Sequence, residues 1–159
     1  MTFTFLMIAG NTAFWIACCF LPAYAVRKLP TAIYRLPLFM KSTAFEQRIW
    51  KVLRVPRWKD HLPEWGHVFH FQKRSLQTIS PAYIERFIQE TKYAELGHVA
   101  MAILGFLCIP LNPPSQFTMA LCCALVNMCI QLPFCIIQRY NRPRLLRIQQ
   151  RLIQKAPNM

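Results

Sequence analysis

The sequence predicts an all-α integral membrane protein with about three transmembrane helices, additional interfacial amphipathic helices and no sheet. Residues 1–26 and 96–138 contain no charged side chain, although the chain carries 19 lysines and arginines and a net charge of +13. A charge at the centre of a bilayer costs roughly 2.5–3.5 kcal/mol, and apolar runs of about 20 residues match the hydrocarbon thickness. The composition agrees, because charged residues make up 16% of the chain against about 25% in soluble proteins.

The first predicted span covers residues 4–26. Arg27 and Lys28 follow it directly, which is the pattern of a stop-transfer segment. Residues 23–25 (Ala-Tyr-Ala) have the form of a signal-peptide cleavage site, but no positive residue precedes the apolar run, so an uncleaved anchor is predicted. The positive-inside rule then places the N-terminus outside and the following segment in the cytoplasm.

Residues 27–80 form a basic, aromatic segment that we expect in the cytoplasm and at the membrane interface. Pro30 and Pro37 prevent a long regular helix at its start, and residues 45–55 have the apolar spacing of a short amphipathic helix. The mixed composition of residues 31–40 leaves open whether they also dip into the membrane. The segment contains three tryptophans, a residue type enriched in the headgroup layer: Trp50, Trp58 and Trp65.

A long helix is predicted over residues 81–111, with its first half in the cytoplasm and its second half entering the membrane as the second span. Ser80 can cap this helix through its hydroxyl group. A turn at residues 112–115 (Asn-Pro-Pro-Ser) separates the helix from a third span over residues 116–138, which Pro133 should kink near the inner interface.

Residues 139–159 form a basic tail that is predicted to run as an amphipathic helix along the cytoplasmic membrane surface. These elements make one multi-pass membrane domain over residues 1–159, with both basic regions and the C-terminus in the cytoplasm. The basic residues suit membrane lipids, and no nucleic-acid reader motif accompanies them, so nucleic acid is excluded as a partner. The sequence leaves the oligomeric state open.

Glu95 and His98 are the sharpest candidates for catalysis. They lie three residues apart on the predicted long helix, and Thr91 precedes Glu95 by four residues, so the three share one face. Ionisable groups at membrane depth are costly and by default indicate function. A glutamate beside an imidazole can fix its tautomer and make it a general base for a hydroxyl. The alternative is a structural interface histidine paired with Glu95.

A second candidate cluster is the proline-limited loop that contains Lys59, Asp60 and His61. Asp60 could supply a second acid–base group, and Lys59 and His61 could bind a substrate hydroxyl; the alternative is a solvated interfacial loop. His67 and His70, with His61, could suggest a metal. Because neither a cysteine nor a tight carboxylate cluster supports it, no metal site is predicted.

Cationic side chains near the predicted membrane exits form the third candidate site. Arg142 and Arg144 follow the third span beside Asn141, and Lys73 and Arg74 lie in the interfacial segment. Arginines at such positions can hold a phosphate or carboxylate through paired hydrogen bonds. The alternative is electrostatic anchoring at the cytoplasmic face.

The order and content of four motifs resemble one known family, that of glycosyl-4,4'-diaponeurosporenoate acyltransferase, which completes the carotenoid pigment staphyloxanthin. The motifs are WKDHLPE from Trp58 to Glu64, KR-x-L from Lys73 to Leu76, FIQETKYAELGH from Phe87 to His98, and QRYNRPRL from Gln138 to Leu145. Residues 29–46 also fit the family pattern, and the resemblance covers residues 27–147.

This resemblance implies a small enzyme of the bacterial cytoplasmic membrane that esterifies a sugar hydroxyl of a glycosylated carotenoid with a fatty acyl group. The expected co-substrate is an acyl thioester, either acyl-CoA or acyl carrier protein, and no bound cofactor is expected. On this hypothesis His98, oriented by Glu95, removes the hydroxyl proton, while Asp60 and Asn141 orient the sugar. The groups expected to hold the donor phosphates are Lys73, Arg74, Arg142 and Arg144.

The competing hypothesis is a non-catalytic membrane subunit or adaptor that binds a partner or anionic lipid through its basic cytoplasmic face. It predicts scattered polar groups, whereas an enzyme gathers them at one apolar cavity. The chain also lacks the HxxxxD pattern of the common glycerolipid acyltransferases, which leaves the acceptor and the identity of the base open.

Overall fold

A computed structural model of the chain describes residues 2–63, 68, 71 and 76–155, and within these residues the fold is all-helical without strands. The α-helices are α1 (Thr2–Ala25), α2 (Pro37–Met40), α3 (Ala44–Val52), α4 (Val55–Trp58), α5 (Pro81–Leu104) and α6 (Phe117–Lys155). Short 3-10 helices occupy Val26–Lys28, Thr31–Arg35, Gly105–Cys108 and Pro114–Gln116. The prediction of a helical protein without a sheet is therefore confirmed for the described residues.

The chain divides into two compact units. The first unit consists of residues 1–29 and 93–135, and the second unit consists of residues 30–92 and 136–159. Two of the three boundaries fall inside α5 and α6, so each unit contains one part of both long helices, and the third lies between residues 29 and 30.

In the first unit, small buried side chains allow close helix packing. Cys108, Ala120 and Ala124 are buried together. Larger, partly buried side chains pack against this cluster, and they are Phe14, Trp15, Phe106 and Ile109. The side-chain amides of Asn11 in α1 and Asn112 donate to each other through two hydrogen bonds of 3.0 Å, so the two amide groups satisfy one another.

In the second unit, the apolar face of α5 is covered by the last part of α6. Ile84, Phe87 and Ile88 of α5 are buried with Leu145 of α6 and with Phe71. The Ser80 hydroxyl accepts a hydrogen bond from the backbone N–H of Tyr83 at 3.3 Å, as expected of an N-terminal cap.

The start of α3 carries a reciprocal cap that fixes its boundary. Thr43 Oγ1 accepts from the Glu46 N–H at 3.1 Å, and Glu46 Oε2 accepts from the Thr43 N–H at 2.6 Å. This capping box explains why the helix begins at Ala44, close to the predicted start of the amphipathic segment.

The course of α6 differs from the predicted span followed by a separate surface helix. α6 runs unbroken from Phe117 to Lys155 through Pro133 and Pro143. A proline removes one i→i−4 hydrogen bond, but the other bonds of a long helix can hold it together. Because Leu145 is 5% exposed and belongs to the second unit's apolar cluster, this part of α6 packs on α5, and its position along a membrane surface stays a prediction.

Two helical stretches are long and apolar enough to cross a membrane, Thr4–Lys28 and Pro114–Lys155. They correspond to the first and third predicted spans. The apolar half of α5 is not one of the two, and α5 itself ends at Leu104, before the predicted boundary at residue 111. Its crossing of a bilayer stays a prediction.

The core of the second unit gives a stability prediction. Ile84→Ala removes a side chain with 0% exposure and should cost about 2–5 kcal/mol of unfolding free energy, because a cavity remains. Ile79→Ala, at a side chain that is 61% exposed, is the matched control and should change stability by about 0.5 kcal/mol or less. Denaturant unfolding in micelles followed by circular dichroism measures both, and equal losses would contradict this packing.

Candidate functional site

His98 of α5 is held by a side chain that sequence reasoning did not name. Its imidazole Nδ1 lies 2.7 Å from Gln131 Oε1, and its ring stacks on Phe134 with centroids 4.8 Å apart and planes 13° apart. The side chain is half-buried, and Glu95, one turn earlier, is only 8% exposed. The imidazole is thus fixed in orientation within the first unit, as a positioned general base requires.

Two further hydrogen bonds extend from Gln131 into the interior of the first unit. Gln131 Nε2 donates to Asn127 Oδ1 at 3.2 Å, and Asn127 Nδ2 donates to the Met101 carbonyl oxygen at 2.9 Å. A sequence signal for these residues existed, because two amides four residues apart interrupt an otherwise apolar run. Only the fold shows that Gln131 faces His98 and that Asn127 holds Gln131.

Thr91 and Arg142 were both predicted as site residues, and the second unit brings them together. Arg142 Nε donates to Thr91 Oγ1 at 3.0 Å, and Arg142 Nη2 donates to the Thr91 carbonyl oxygen at 2.9 Å. Thr91 is 0% and Arg142 2% exposed. A third bond of 3.1 Å runs from Arg142 Nη1 to the Phe39 carbonyl oxygen. Burial at this depth gives Arg142 a structural role, whatever else it binds.

The carbonyl groups around α2 explain why arginines gather there. α2 spans only four residues, so after Pro37, whose carbonyl oxygen accepts from the Lys41 N–H, its carbonyl oxygens lack the i+4 partners of a longer helix. Arg142 satisfies Phe39, and Arg139 donates to the carbonyl oxygens of Leu38 and Lys41. Two α6 arginines therefore fix a segment that proline breaks prevent from forming a longer helix.

Arg139 also binds the carboxylate of Glu46, with Nε 2.7 Å from Oε1. Burial raises the pKa of Glu46, but the hydrogen bonds from the Thr43 backbone and from Arg139 outweigh it, so the pKa of this carboxyl lies below its usual value. The pair links the capping box of α3 to α6 within the second unit.

The predicted loop cluster lies on the surface of the second unit. Lys59 Nζ pairs with Asp60 Oδ1 at 2.5 Å, and the Asp60 side chain is 53% exposed. His61 is also exposed. The Lys59 side chain is 17% exposed, so this ion pair of neighbouring residues lies at the protein surface with only its Asp60 side open to solvent. The structure places these residues in the second unit and His98 in the first.

The remaining predicted site residues fall on α6 or outside the described residues. Arg144 is exposed, and its guanidinium lies 4.8 Å from the centre of the Tyr140 ring. Asn141 is half-buried. Lys73 and Arg74 lie outside the described residues, as do His67 and His70 of the rejected metal hypothesis.

Lys92 is a buried cation that sequence reasoning also missed. Its side chain is 7% exposed. Burial lowers the pKa of its ammonium group, and the nearby positive charges of Arg142 and Arg35 lower it further. The charged form of Lys92 is therefore less favourable in the folded protein than in water.

The fold and these buried groups define a class of protein: small and all-helical where described, with helices apolar enough for a membrane and with buried ionisable side chains. Sequence comparison then gives the family. The family model described as glycosyl-4,4'-diaponeurosporenoate acyltransferase matches residues 30–151, and the chain belongs to this family. The protein is therefore an acyltransferase, as the resemblance of its motifs predicted.

Relatives with the same name match most of the chain. A protein of Staphylococcus haemolyticus (strain JCSC1435) named glycosyl-4,4'-diaponeurosporenoate acyltransferase is 28% identical over 141 residues, which cover 85% of this chain and 80% of the relative. A protein of Staphylococcus aureus (strain Newman) with that name is 32% identical over 136 residues, covering 81% and 79%. No solved structure matches the chain.

Arg142 and Arg144 should differ in what they contribute to stability. Arg142→Gln leaves the oxygens of Thr91 and Phe39 without their donor and should cost at least about 2 kcal/mol of unfolding free energy. Arg144→Gln removes an exposed side chain and should cost about 0.5 kcal/mol or less. Denaturant titration of both variants in micelles measures the difference. Full stability of Arg142→Gln would show that the buried bonds are not needed.

Proposed function

We propose that this acyltransferase esterifies a hydroxyl group of an apolar glycosylated carotenoid, or of a related glycolipid, with a fatty acyl group. The names of its relatives support a glycosylated diaponeurosporenoate as acceptor, with a sugar hydroxyl as the reacting group. The observation that carries the chemistry is the imidazole of His98, held by Gln131 at 2.7 Å in an otherwise apolar part of α5.

The enzyme is proposed to act in the bacterial cytoplasmic membrane, where an apolar acceptor is dissolved. Two helical stretches apolar enough to cross a bilayer support this location. The absence of charge from residues 1–26 and 96–138 supports three crossings, with the N-terminus outside and the basic segments and C-terminus in the cytoplasm.

His98 is proposed to act as the general base. It removes the proton of the acceptor hydroxyl as that oxygen attacks the carbonyl carbon of an acyl thioester. The new C–O bond forms, the C–S bond breaks, and the proton passes from the imidazolium to the leaving thiolate. Glu95, buried on the same helix, is proposed to stabilise the transient imidazolium.

The acyl donor is proposed to be acyl-CoA or acyl carrier protein, both of which carry phosphate. Lys92, whose pKa is lowered by burial and by the nearby charges of Arg142 and Arg35, is proposed to attract such an anion in the second unit. The exposed Arg144, together with Lys73 and Arg74, is proposed to contact the donor as well.

A cell-based comparison tests this function. Bacteria that accumulate glycosylated diaponeurosporenoate should, on expressing the chain, convert it to a product heavier by one fatty acyl group, as read by mass spectrometry. His98→Asn should lower this conversion by about 10² or more. The asparagine amide can replace Nδ1–H as donor to Gln131 but offers no basic nitrogen, so the fold is preserved while the base is lost.

The controls separate function from folding. His98→Asn must insert into membranes and melt like the parent protein. Normal conversion by such a protein would remove His98 from the reaction. Absence of any acylated product from the parent protein, with acceptor and donor both present, would refute the proposed acceptor.

Lys92 offers a separate test of the donor site. Lys92→Met should raise the melting temperature at neutral pH, because the folded pKa is depressed and the charged amine therefore opposes folding below that pKa. It should also raise the KM for the acyl donor with little change in kcat. Lys51→Met, at an exposed lysine, is the control and should change neither. An unchanged donor KM in Lys92→Met would exclude Lys92 from donor binding.

A further inference from the structure

The hydrogen-bond chain beside His98 ends at the Met101 carbonyl oxygen, which can accept hydrogen bonds but cannot donate them. Met101 lies in the last turn of α5, and its carbonyl oxygen accepts hydrogen bonds from the Asn127 side chain at 2.9 Å and from Cys18 Sγ at 3.6 Å. A carbonyl oxygen only accepts hydrogen bonds, so the Asn127 atom 2.9 Å away must be the amide nitrogen. The oxygen Oδ1 of Asn127 therefore faces Gln131.

The direction of the Asn127–Met101 hydrogen bond also sets the direction of the next two bonds, from Gln131 to Asn127 and from His98 to Gln131. Asn127 Oδ1 needs a donor, which is Gln131 Nε2 at 3.2 Å, and this leaves Gln131 Oε1 facing His98 Nδ1 at 2.7 Å. An amide oxygen cannot donate, so Nδ1 must carry a hydrogen. In neutral His98 the lone pair then belongs to Nε2.

We infer that Asn127 and Gln131 are positioning residues that fix the Nδ1–H tautomer of His98 and so leave Nε2 as its basic nitrogen. The tautomer follows from the hydrogen bonds alone, whereas its catalytic meaning rests on the proposed function. Both amides are buried, with 8% and 7% exposure. A buried polar chain of this kind is stable only when each member is satisfied, which holds its direction fixed.

Because Gly105 has no side chain, it leaves room for the hydrogen bond between Asn127 Nδ2 and the Met101 carbonyl oxygen. A Cβ at position 105 would overlap Asn127 Nδ2, the atom that donates a hydrogen bond to the Met101 carbonyl oxygen. A Cβ at Gly97, in the same unit, would meet the Ala23 Cα at 3.7 Å and the Val26 Cγ2 at 3.9 Å, both ordinary contacts. Gly105→Ala should therefore displace the Asn127 amide without touching His98, and Gly97→Ala is its matched control.

The tautomer can be read without measuring activity. In the full-length protein labelled with 15N-histidine, the ring nitrogen shifts distinguish Nδ1–H from Nε2–H, and loss of a signal in His98→Asn assigns it among the four histidines. We expect the Nδ1–H form in the parent protein. Gln131→Met removes the acceptor and Asn127→Leu frees Gln131 to rotate, so both should show Nε2–H. Asn11→Leu removes an amide pair elsewhere in the first unit and should not.

Turnover tests the catalytic part. Gln131→Met, Asn127→Leu and Gly105→Ala should each lower kcat by about tenfold or more, with both KM values within about twofold of the parent. Asn11→Leu and Gly97→Ala should keep the parent kcat. If Asn127→Leu does not fold, Gly105→Ala tests the role of the hydrogen bond between Asn127 and the Met101 carbonyl oxygen.

Two results would overturn the inference. One is an Nε2–H signal from His98 in the parent protein, and the other is an unchanged tautomer in both Gln131→Met and Gly105→Ala. Full activity of His98→Asn would instead refute the proposed general base, because the tautomer is measured independently of turnover.

Discussion

A polar group buried among apolar helices must find its hydrogen-bond partner within the protein, and much of this structure follows from that constraint. Arg142, with 2% exposure, meets it by donating to Thr91 and to the Phe39 carbonyl oxygen. His98 meets it through Gln131. Since an unsatisfied buried group costs about 1–3 kcal/mol, these partners are part of the fold as well as of the chemistry.

The same constraint gives two basic residues, Arg139 and Arg142, a structural role. Positive charge beside an apolar helix is explained by membrane orientation, yet Arg139 and Arg142 use their donors on the carbonyl oxygens of residues 38–41. A segment divided by prolines cannot satisfy those oxygens by itself. Two arginines of α6 therefore hold it, while the exposed Arg144 is available for a ligand.

Acyl transfer from a thioester to a hydroxyl needs one basic nitrogen with a defined lone pair and an anchor for an anionic donor. In the proposed reaction this nitrogen belongs to His98 of the first unit, whose Nδ1 faces Gln131 Oε1 at the end of a chain of amides that begins at the Met101 carbonyl oxygen. In the second unit, burial and the nearby positive charges of Arg142 and Arg35 lower the pKa of Lys92, so its charged ammonium group opposes folding. Function here draws on groups that a purely stable fold would replace with apolar ones.

The sequence by itself determined the helical class, the charge-free segments, the start of α5 at Ser80-Pro81 and the motifs that define the family. Each depends on residues close in the chain, where periodicity, capping and charge act directly. Only the tertiary structure decided that Gln131, 33 residues from His98, orients the imidazole, that Arg142 is buried, and that α6 continues through Pro133 and Pro143. Such contacts depend on which helix faces pack together, and local spacing does not specify that pairing.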